Sequence, residues 1–236
     1  MANLRLDKYL ADMGMGTRSE VKQFIKKGQV LVNDEIMKKP EYKVSTTEDE
    51  VVLNGQTVRY QEFEYIMLNK PQGVISATED RNDKTVLDLI TDADRKDLFP
   101  VGRLDKDTEG LLLLTNDGKL AHELLAPKKH VPKTYLVHVN GVVTKEDVEL
   151  FAKGFLVDDD LCAKPAKLEI LKAAEISAVH LTITEGKFHQ VKRMFGAVNK
   201  PVVYLKRIKM GNLVLDDSLA LGEYRRLTEQ ELETIR

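Results

Sequence analysis

A run of four leucines, residues 111–114, constrains the fold of this chain more than any other feature. The run follows a polar loop, residues 102–110, that begins and ends with glycine, and it stops at the sequence Asn-Asp-Gly, a strong turn signal. An unbroken apolar run with these boundaries predicts a strand that is buried on both faces. Because loops held by rigid core elements often carry the working side chains of a protein, the polar loop is a candidate functional segment.

The overall composition is that of a soluble globular protein. The 236 residues allow one large domain or two unequal ones, and the contents of 42% hydrophobic and 31% charged residues are ordinary. The single cysteine, Cys162, excludes an intramolecular disulfide and indicates a reducing compartment, and we expect it to be a small packed residue. The N-terminal residues lack the apolar segment of a signal peptide, and no apolar run has the length of a membrane span. A cytoplasmic protein is therefore expected.

The charge is unevenly distributed along the chain. The net charge of −2 argues weakly against a nucleic-acid partner, because basic charge drives binding to phosphates. However, residues 187–209 contain seven Lys or Arg and no acid, and residues 1–30 contain six basic and three acidic residues. This segregation favours a protein with a basic face.

Residues 1–60 form a predicted small module of two helices and a few short strands. The first helix has an apolar stripe that includes Leu6 and Leu10, and Thr17 with Glu20 forms a capping box at the start of the second. The sequence 33–34 (ND) predicts a turn after a strand at 30–32, and 54–55 (NG) predicts a hairpin. The segments 5–10 (RLDKYL) and 28–33 (GQVLVN) resemble the S4 RNA-binding domain. That resemblance implies a helical pair that holds structured RNA by its backbone through the basic positions Arg5, Lys8, Arg18, Lys22 and Lys26. Without the resemblance, these positions are equally consistent with a solvated helix face.

Residues 65–236 form a predicted larger module, after a linker at 59–64. Strands are predicted at 65–69, 135–139, 168–171 and 179–184, and helices at 86–90, 119–126, 145–151 and 190–198. Because strands and short helices alternate without a regular βαβ period, the sequence predicts an α+β fold around a mixed, mostly antiparallel sheet.

The polar loop and its flanking strand closely resemble the signature of the RsuA-type ribosomal pseudouridine synthases. Residues 102–118 read GRLDKDTEGLLLLTNDG, and 65–73 (YIMLNKPQG) match the opening motif of the same family. The resemblance implies that Asp105 is the catalytic carboxylate, and it leaves to Asp107 a role in bonding the loop backbone. Two routes stay open for Asp105: nucleophilic attack at the ribose C1′, or removal of the C2′ proton to give a glycal.

The same resemblance assigns roles to residues elsewhere in the larger module. Tyr135, in the sequence KTY, would stack on the uracil, and Lys192 would be the basic partner that stabilises the ionised Asp105. Arg103 would fill the gap that the flipped base leaves in the RNA, and Leu205 would form an apolar pocket wall. The further basic residues predicted to contact substrate or RNA backbone are Lys128, Lys129, Lys133, Arg193, Lys206, Arg207 and Lys209.

The sequence therefore predicts an enzyme that isomerises one uridine of ribosomal RNA, with 16S RNA of the small subunit or its precursor particle as the target. A sister activity on 23S RNA and a non-catalytic ribosome-assembly factor are the alternatives. A carboxylate hydrolase using Asp105 and Asp107 is disfavoured, because acids two residues apart on an extended loop cannot flank a glycosidic bond. Isomerisation needs no outside reagent, so no cofactor is expected. The five histidines show no metal-ligand spacing, and His189 beside the basic helix is expected to be structural or to contact RNA. A monomer is expected.

Overall fold

The computed structural model describes residues 3–236, which divide into two compact units. The first unit comprises the chain up to Glu64 together with Thr91–Leu98, and the second comprises Tyr65–Ile90 and Phe99–Arg236. A segment from the middle of the chain thus packs with the N-terminal residues. No helix in the described part of the chain is long and apolar enough to cross a membrane.

The first unit packs two short helices on small antiparallel sheets. Its elements are β1 (Asn3–Arg5), α1 (Leu6–Asp12), α2 (Arg18–Lys26), β2 (Val30–Val32), β3 (Glu35–Ile36), β4 (Lys43–Ser45), β5 (Val51–Leu53) and β6 (Gln56–Val58). One core includes Leu6 and Leu10 of α1, Val21 and Ile25 of α2, and Val30 of β2. The predicted apolar stripes of both helices therefore face the same core.

The helix cap and the tight turns that the sequence predicts in this unit are confirmed. Glu20 N donates to Thr17 Oγ1 (3.3 Å) and Thr17 N donates to Glu20 Oε2 (2.7 Å), which completes the predicted capping box of α2. Asn33 and Asn54 have positive φ angles of 51° and 50°, as tight turns between paired strands require.

The second unit is built on one mixed sheet. Its strands are β7 (Tyr65–Lys70), β8 (Phe99–Pro100), β9 (Glu109–Thr115), β10 (Lys133–Asn140), β11 (Phe155–Asp158), β12 (Leu161–Ala163), β13 (Lys167–Lys172), β14 (Ile176–Ile183), β15 (Val202–Met210), β16 (Leu213–Val214) and β17 (Tyr224–Arg226). Its helices are α3 (Gly118–Leu125), α4 (Lys145–Lys153), α5 (Gln190–Ala197) and α6 (Glu229–Ile235), with 3₁₀ turns at Leu87–Leu89 and Pro127–Lys129.

The sheet runs in the order β13-β14-β10-β15-β9-β7-β17, with β16 paired to β15 and β8 paired to β9. The pairs are antiparallel except for β9 with β15, which run parallel within the described sheet. The predicted α+β class and mostly antiparallel mixed sheet are confirmed.

Strand β9 lies inside this sheet, between β15 and β7, and every one of its residues is buried. The four leucines have no exposed surface, as the sequence predicted. At the start of the strand, Gly110 has a φ of 101°, and a Cβ there would overlap the carbonyl oxygen of Arg207 on β15. Glycine is required at this position because the two backbones approach closely at the edge of the functional loop.

Two predictions for the fold were wrong in detail. The expected helix at 86–90 is a single 3₁₀ turn at Leu87–Leu89. The segment 59–64, predicted as a linker, is irregular and is held to the first unit, because Tyr60 bonds to Asp12 (3.2 Å) and Glu64 is buried and accepts a bond from Arg95 N (2.8 Å). Cys162 is exposed on β12, because alternate residues of this short strand face outward.

Candidate active site

The polar loop between β8 and β9 is held in a defined shape by main-chain and side-chain bonds. Thr108 N donates to Asp105 O (3.0 Å), which closes a turn around the two acids. The Ser76 hydroxyl donates to Leu104 O and accepts from Leu104 N, each at 3.0 Å, and Gly73 N donates to Lys106 O (2.8 Å). The segment after β7 therefore clamps the loop on both sides of Asp105.

Lys70, the last residue of β7, is fully buried beneath the loop. Its ammonium donates to three main-chain carbonyl oxygens, those of Thr108 (2.9 Å), Asp105 (3.0 Å) and Pro71 (3.1 Å). Burial lowers the pKa of Lys70 to about 8, although the carboxylates of Asp107, Asp105 and Glu109 oppose that effect. The ammonium group of Lys70 thus stabilises the conformation of the loop through hydrogen bonds to its main-chain carbonyl oxygens.

We predict that Lys70→Met changes how stability depends on pH. Because the pKa of Lys70 is about 8 when folded and near 10.5 when unfolded, the unfolded state binds more protons between these values. Lys70 should therefore add about 1–3 kcal/mol to the free energy of unfolding as the pH rises from about 8 to 10.5. Denaturant titrations across this range should show a smaller rise for the variant. If the free energy of unfolding rises as much in Lys70→Met as in the wild type, the prediction is wrong. The control is Lys119→Met, at an exposed lysine, which should show the wild-type rise.

Two acids of the loop share one lysine of α5. Lys192 Nζ lies 3.1 Å from Asp105 Oδ2 and 2.6 Å from Asp107 Oδ1. His189 Nε2, just before the helix, lies 3.7 Å from Asp105 Oδ1. The side chain of Asp105 is 27% exposed, whereas that of Asp107 is 68% exposed. In addition to the backbone role predicted for it, Asp107 places its carboxylate at the shorter of the two contacts with Lys192.

The pKa values of this cluster favour the ion pairs. Burial opposes the charged form of Lys192, but hydrogen bonds to Asp107 and Asp105 outweigh it and raise the lysine's pKa. The hydrogen bond from Lys192 lowers the pKa of Asp107. Lys192 is therefore a permanent cation at neutral pH, next to both carboxylates.

The less exposed acid, Asp105, lines a small cavity of about 70 Å³. Tyr135 of β10 and Leu205 of β15 are buried in its wall, and Arg103 and Lys192 also line it. The expected carboxylate, aromatic ring, apolar wall and cations therefore come together, although β10, β15 and α5 are far from the loop in sequence. The arrangement places an aromatic ring and an apolar wall beside a carboxylate that is partly shielded from water.

Several basic residues are not placed as predicted. Arg207 and Lys133 are 2% and 8% exposed, so neither lies on an exposed RNA-binding surface. Both belong to strands in the middle of the sheet, where alternate residues face the interior. Arg193 is paired with Asp158 and Asp160 of the β11–β12 hairpin, so its charge is largely compensated. Lys206 and Lys209 are half-buried, and Lys128 and Lys129 are exposed.

The first unit carries a basic surface centred on one buried acid. Asp7 has a 1% exposed side chain, accepts two hydrogen bonds from Arg5 (2.9 and 3.0 Å) and lies 3.9 Å from Lys22. The hydrogen bond from Arg5 lowers the pKa of Asp7 against its burial, with help from Arg18 and Lys22. The predicted RNA-contacting side chains of this unit are all exposed: Arg5, Lys8, Arg18, Lys22 and Lys26.

Comparison with known proteins agrees with this geometry. The sequence model of the RNA pseudouridylate synthase family matches residues 64–197, and that of the S4 domain matches residues 4–51. The chain belongs to the RNA pseudouridine synthase family. It is a pseudouridine synthase of the RsuA type with an N-terminal S4 domain, as the motifs predicted.

Relatives of this synthase match it over almost its whole length. It is 52% identical to the uncharacterized RNA pseudouridine synthase YtzG of Bacillus subtilis, over 98% of each chain. It is 40% identical to ribosomal small subunit pseudouridine synthase A of Escherichia coli, over 98% of this chain and all of the relative. A crystal structure of a pseudouridylate synthase has 42% identity and a TM-score of 0.69, and the match covers 99% of this chain and all of the other.

Some residues that fix the loop of this synthase had no sequence signal for that role. Lys70 lies in the matched motif at 65–73, but nothing in the motif shows that its ammonium turns inward. Gly73 lies in the same motif, which does not reveal its bond to Lys106, and Ser76 had no signal of its own. In the part of the chain that the structure describes, no group of three or more His, Cys, Asp or Glu residues is arranged to hold a metal ion.

Proposed function

We propose that this synthase converts a single uridine of small-subunit 16S ribosomal RNA to pseudouridine, with Asp105 as the catalytic residue. The observation that carries the proposal is the cavity in which the Asp105 carboxylate, its Lys192 partner and the Tyr135 ring meet. We expect the chain to act as a monomer and without a cofactor, since the reaction rearranges bonds within one nucleotide.

The reaction breaks the bond from N1 of uracil to C1′ and forms a bond from C5 to the same C1′. C5 then loses its proton, and N1 carries one in the product, so atoms and charge balance. Asp105 would act at the ribose, either on C1′ or on the C2′ proton, while Tyr135 and Leu205 hold the detached base. Lys192 would pair with the carboxylate and hold it in place.

Arg103 is exposed at the rim of the cavity, two residues before the reacting acid in sequence. This position suits a side chain that enters the RNA stack when the uridine flips out. The exposed basic residues around Asp7 would hold the RNA through phosphates, which gives affinity without sequence readout.

The small-subunit target is supported by the name of the Escherichia coli relative, which matches this chain from end to end. The more similar Bacillus subtilis relative is uncharacterized and does not bear on the target. We therefore expect this chain to act on small-subunit RNA, as the name of the Escherichia coli relative states for that protein.

The test is to incubate the purified protein with 16S RNA, 23S RNA and small-subunit precursor particles that lack pseudouridine. Mass spectrometry of nuclease digests should locate one pseudouridine, in 16S RNA or in the precursor particle. Modification of 23S RNA alone would reject the target but keep the activity. If the protein binds RNA but forms no pseudouridine in any of these substrates, the assembly-factor alternative is favoured.

A further inference from the structure

A second cavity, of about 430 Å³, adjoins the Asp105 cavity. The two cavities share Arg103, Tyr135, Gly186 and Lys187 as lining residues. The smaller cavity has room for only a few water molecules, so a nucleotide next to Asp105 must extend beyond it, and the larger cavity is the adjoining enclosed space.

Two buried cations line this larger cavity, Lys133 of β10 and Arg207 of β15. They are neighbours because the two strands pair, with Arg207 opposite Tyr135. Lys133 Nζ donates only to the carbonyl oxygen of Val131 (3.1 Å) among its described bonds, and Arg207 Nε donates to Leu111 O (2.8 Å). Arg207 Nη2 is buried with no hydrogen-bond partner among the described residues.

Neither cation has an acidic partner in the part of the chain that the structure describes. Glu185 is the acid that lines the cavity, and its Oε1 accepts bonds from Lys164 N (3.0 Å) and Gln190 Nε2 (2.6 Å). Arg103, Lys164 and Lys187 add further positive charge to the lining. Burial lowers the pKa of Lys133, and the nearby Arg207 lowers it further. Buried charges are normally paired, so two buried cations without an acidic partner make this cavity suited to an anion from outside the chain.

We propose that this cavity binds a backbone phosphate of the RNA next to the flipped uridine, through Lys133 and Arg207. This inference rests on the proposed function, because it takes the nucleotide to lie against Asp105. A phosphate offers several acceptor oxygens to the two donors, and charge-assisted bonds of this kind are strong. The phosphate would fix the ribose beside Asp105 while Tyr135, shared by both cavities, contacts the base. Lys133 and Arg207 are thus substrate-binding residues inside a cavity, distinct from the exposed basic residues that attract RNA to the protein surface.

The test compares the wild type with Lys133→Met, which keeps the length of the side chain and removes its charge. The variant should raise the KM for 16S RNA about tenfold and change kcat less than about twofold, because one charge-assisted contact is lost. The slope of log affinity against log salt should fall in magnitude by about 0.7, the value for one phosphate contact to a single strand. Lys172→Met, at an exposed lysine outside both cavities, should leave all three values unchanged.

Thermal unfolding separates this role from a structural one. Lys133→Met should melt no more than about 3 °C below the wild type, because it removes a buried charge that has no partner. A large loss of stability or a failure to fold would show that the ammonium serves the core, and would overturn the proposal. Lys133→Arg, which keeps the charge, should keep the wild-type salt slope.

Three further outcomes are decisive. Unchanged KM and salt slope in Lys133→Met would overturn the phosphate site while the proposed activity of the wild type stands. If the wild type makes no pseudouridine, the proposed function fails, but the salt slope still tests the phosphate contact. If millimolar inorganic phosphate raises the Tm of the wild type but not of Lys133→Met, and RNA affinity is equal in both, the site takes a free anion and the RNA assignment is wrong.

Discussion

Asp105→Asn should reduce pseudouridine formation by at least about 10⁴-fold while RNA binding changes less than about threefold. Asparagine has the shape of aspartate but cannot act as a nucleophile or a base. The loop should keep its form, because it is fixed by main-chain bonds to Lys70, Ser76 and Thr108 that do not involve the carboxylate. Single-turnover assays on RNA, with mass spectrometry of the product, and an affinity measurement on the same RNA give the two values.

The matched control is Asp107→Asn. Asp107 contacts the same lysine at a shorter distance than Asp105 does, but it is more exposed and does not line the cavity. We expect this variant to lose less than about tenfold in rate, since only a solvent-exposed ion pair is removed. Equal losses in the two variants, or full activity of Asp105→Asn, would reject the assignment of Asp105.

Lys192→Met should lower kcat by about 10²–10³-fold, because it removes the charged group that stabilises the reacting carboxylate. Lys192→Arg should retain the rate within about tenfold, since the guanidinium can reach both Asp105 and Asp107 from the same helix position. Steady-state kinetics of both variants decide the question. If Lys192→Arg and Lys192→Met are equally inactive, positive charge at this position is not sufficient. Lys192 would then act through the size of its ammonium group or by transferring a proton, and the electrostatic role proposed for it would be wrong.

Much of this fold could be predicted from local pattern. The leucines at 111–114 predict a buried strand because an apolar run this short, between two turn signals, is too short for a typical buried helix. The capping box at Thr17 and the turns at Asn33 and Asn54 are equally local, since each is determined by residues within a few positions of one another. Of these features, the leucine run marks where the functional loop ends.

The remaining features depend on long-range packing. Thr91–Leu98 joins the first unit through contacts such as that of Arg95 N with Glu64, which no periodicity indicates. Arg207 was predicted to contact RNA together with Lys206 and Lys209, but the place of β15 inside the sheet turns Arg207 inward. Residue type alone cannot distinguish an exposed lysine from a buried one.

The same limit applies to the site. The motif resemblance predicted Asp105, Tyr135, Lys192 and Leu205, and the structure brings all four to one cavity. The resemblance did not predict that Lys70 organises the loop, because its bonds go to main-chain atoms more than thirty residues away. It also did not predict that Lys192 would bridge two acids, which depends on the approach of α5 to the loop.

A structure of the Asp105→Asn protein bound to its RNA tests the central claim most directly. We predict that one uridine is turned out of the RNA, with its C1′ about 3–3.5 Å from the residue 105 side chain and its base against Tyr135. A uridine that stays stacked in the RNA, with residue 105 facing open solvent, would contradict the account.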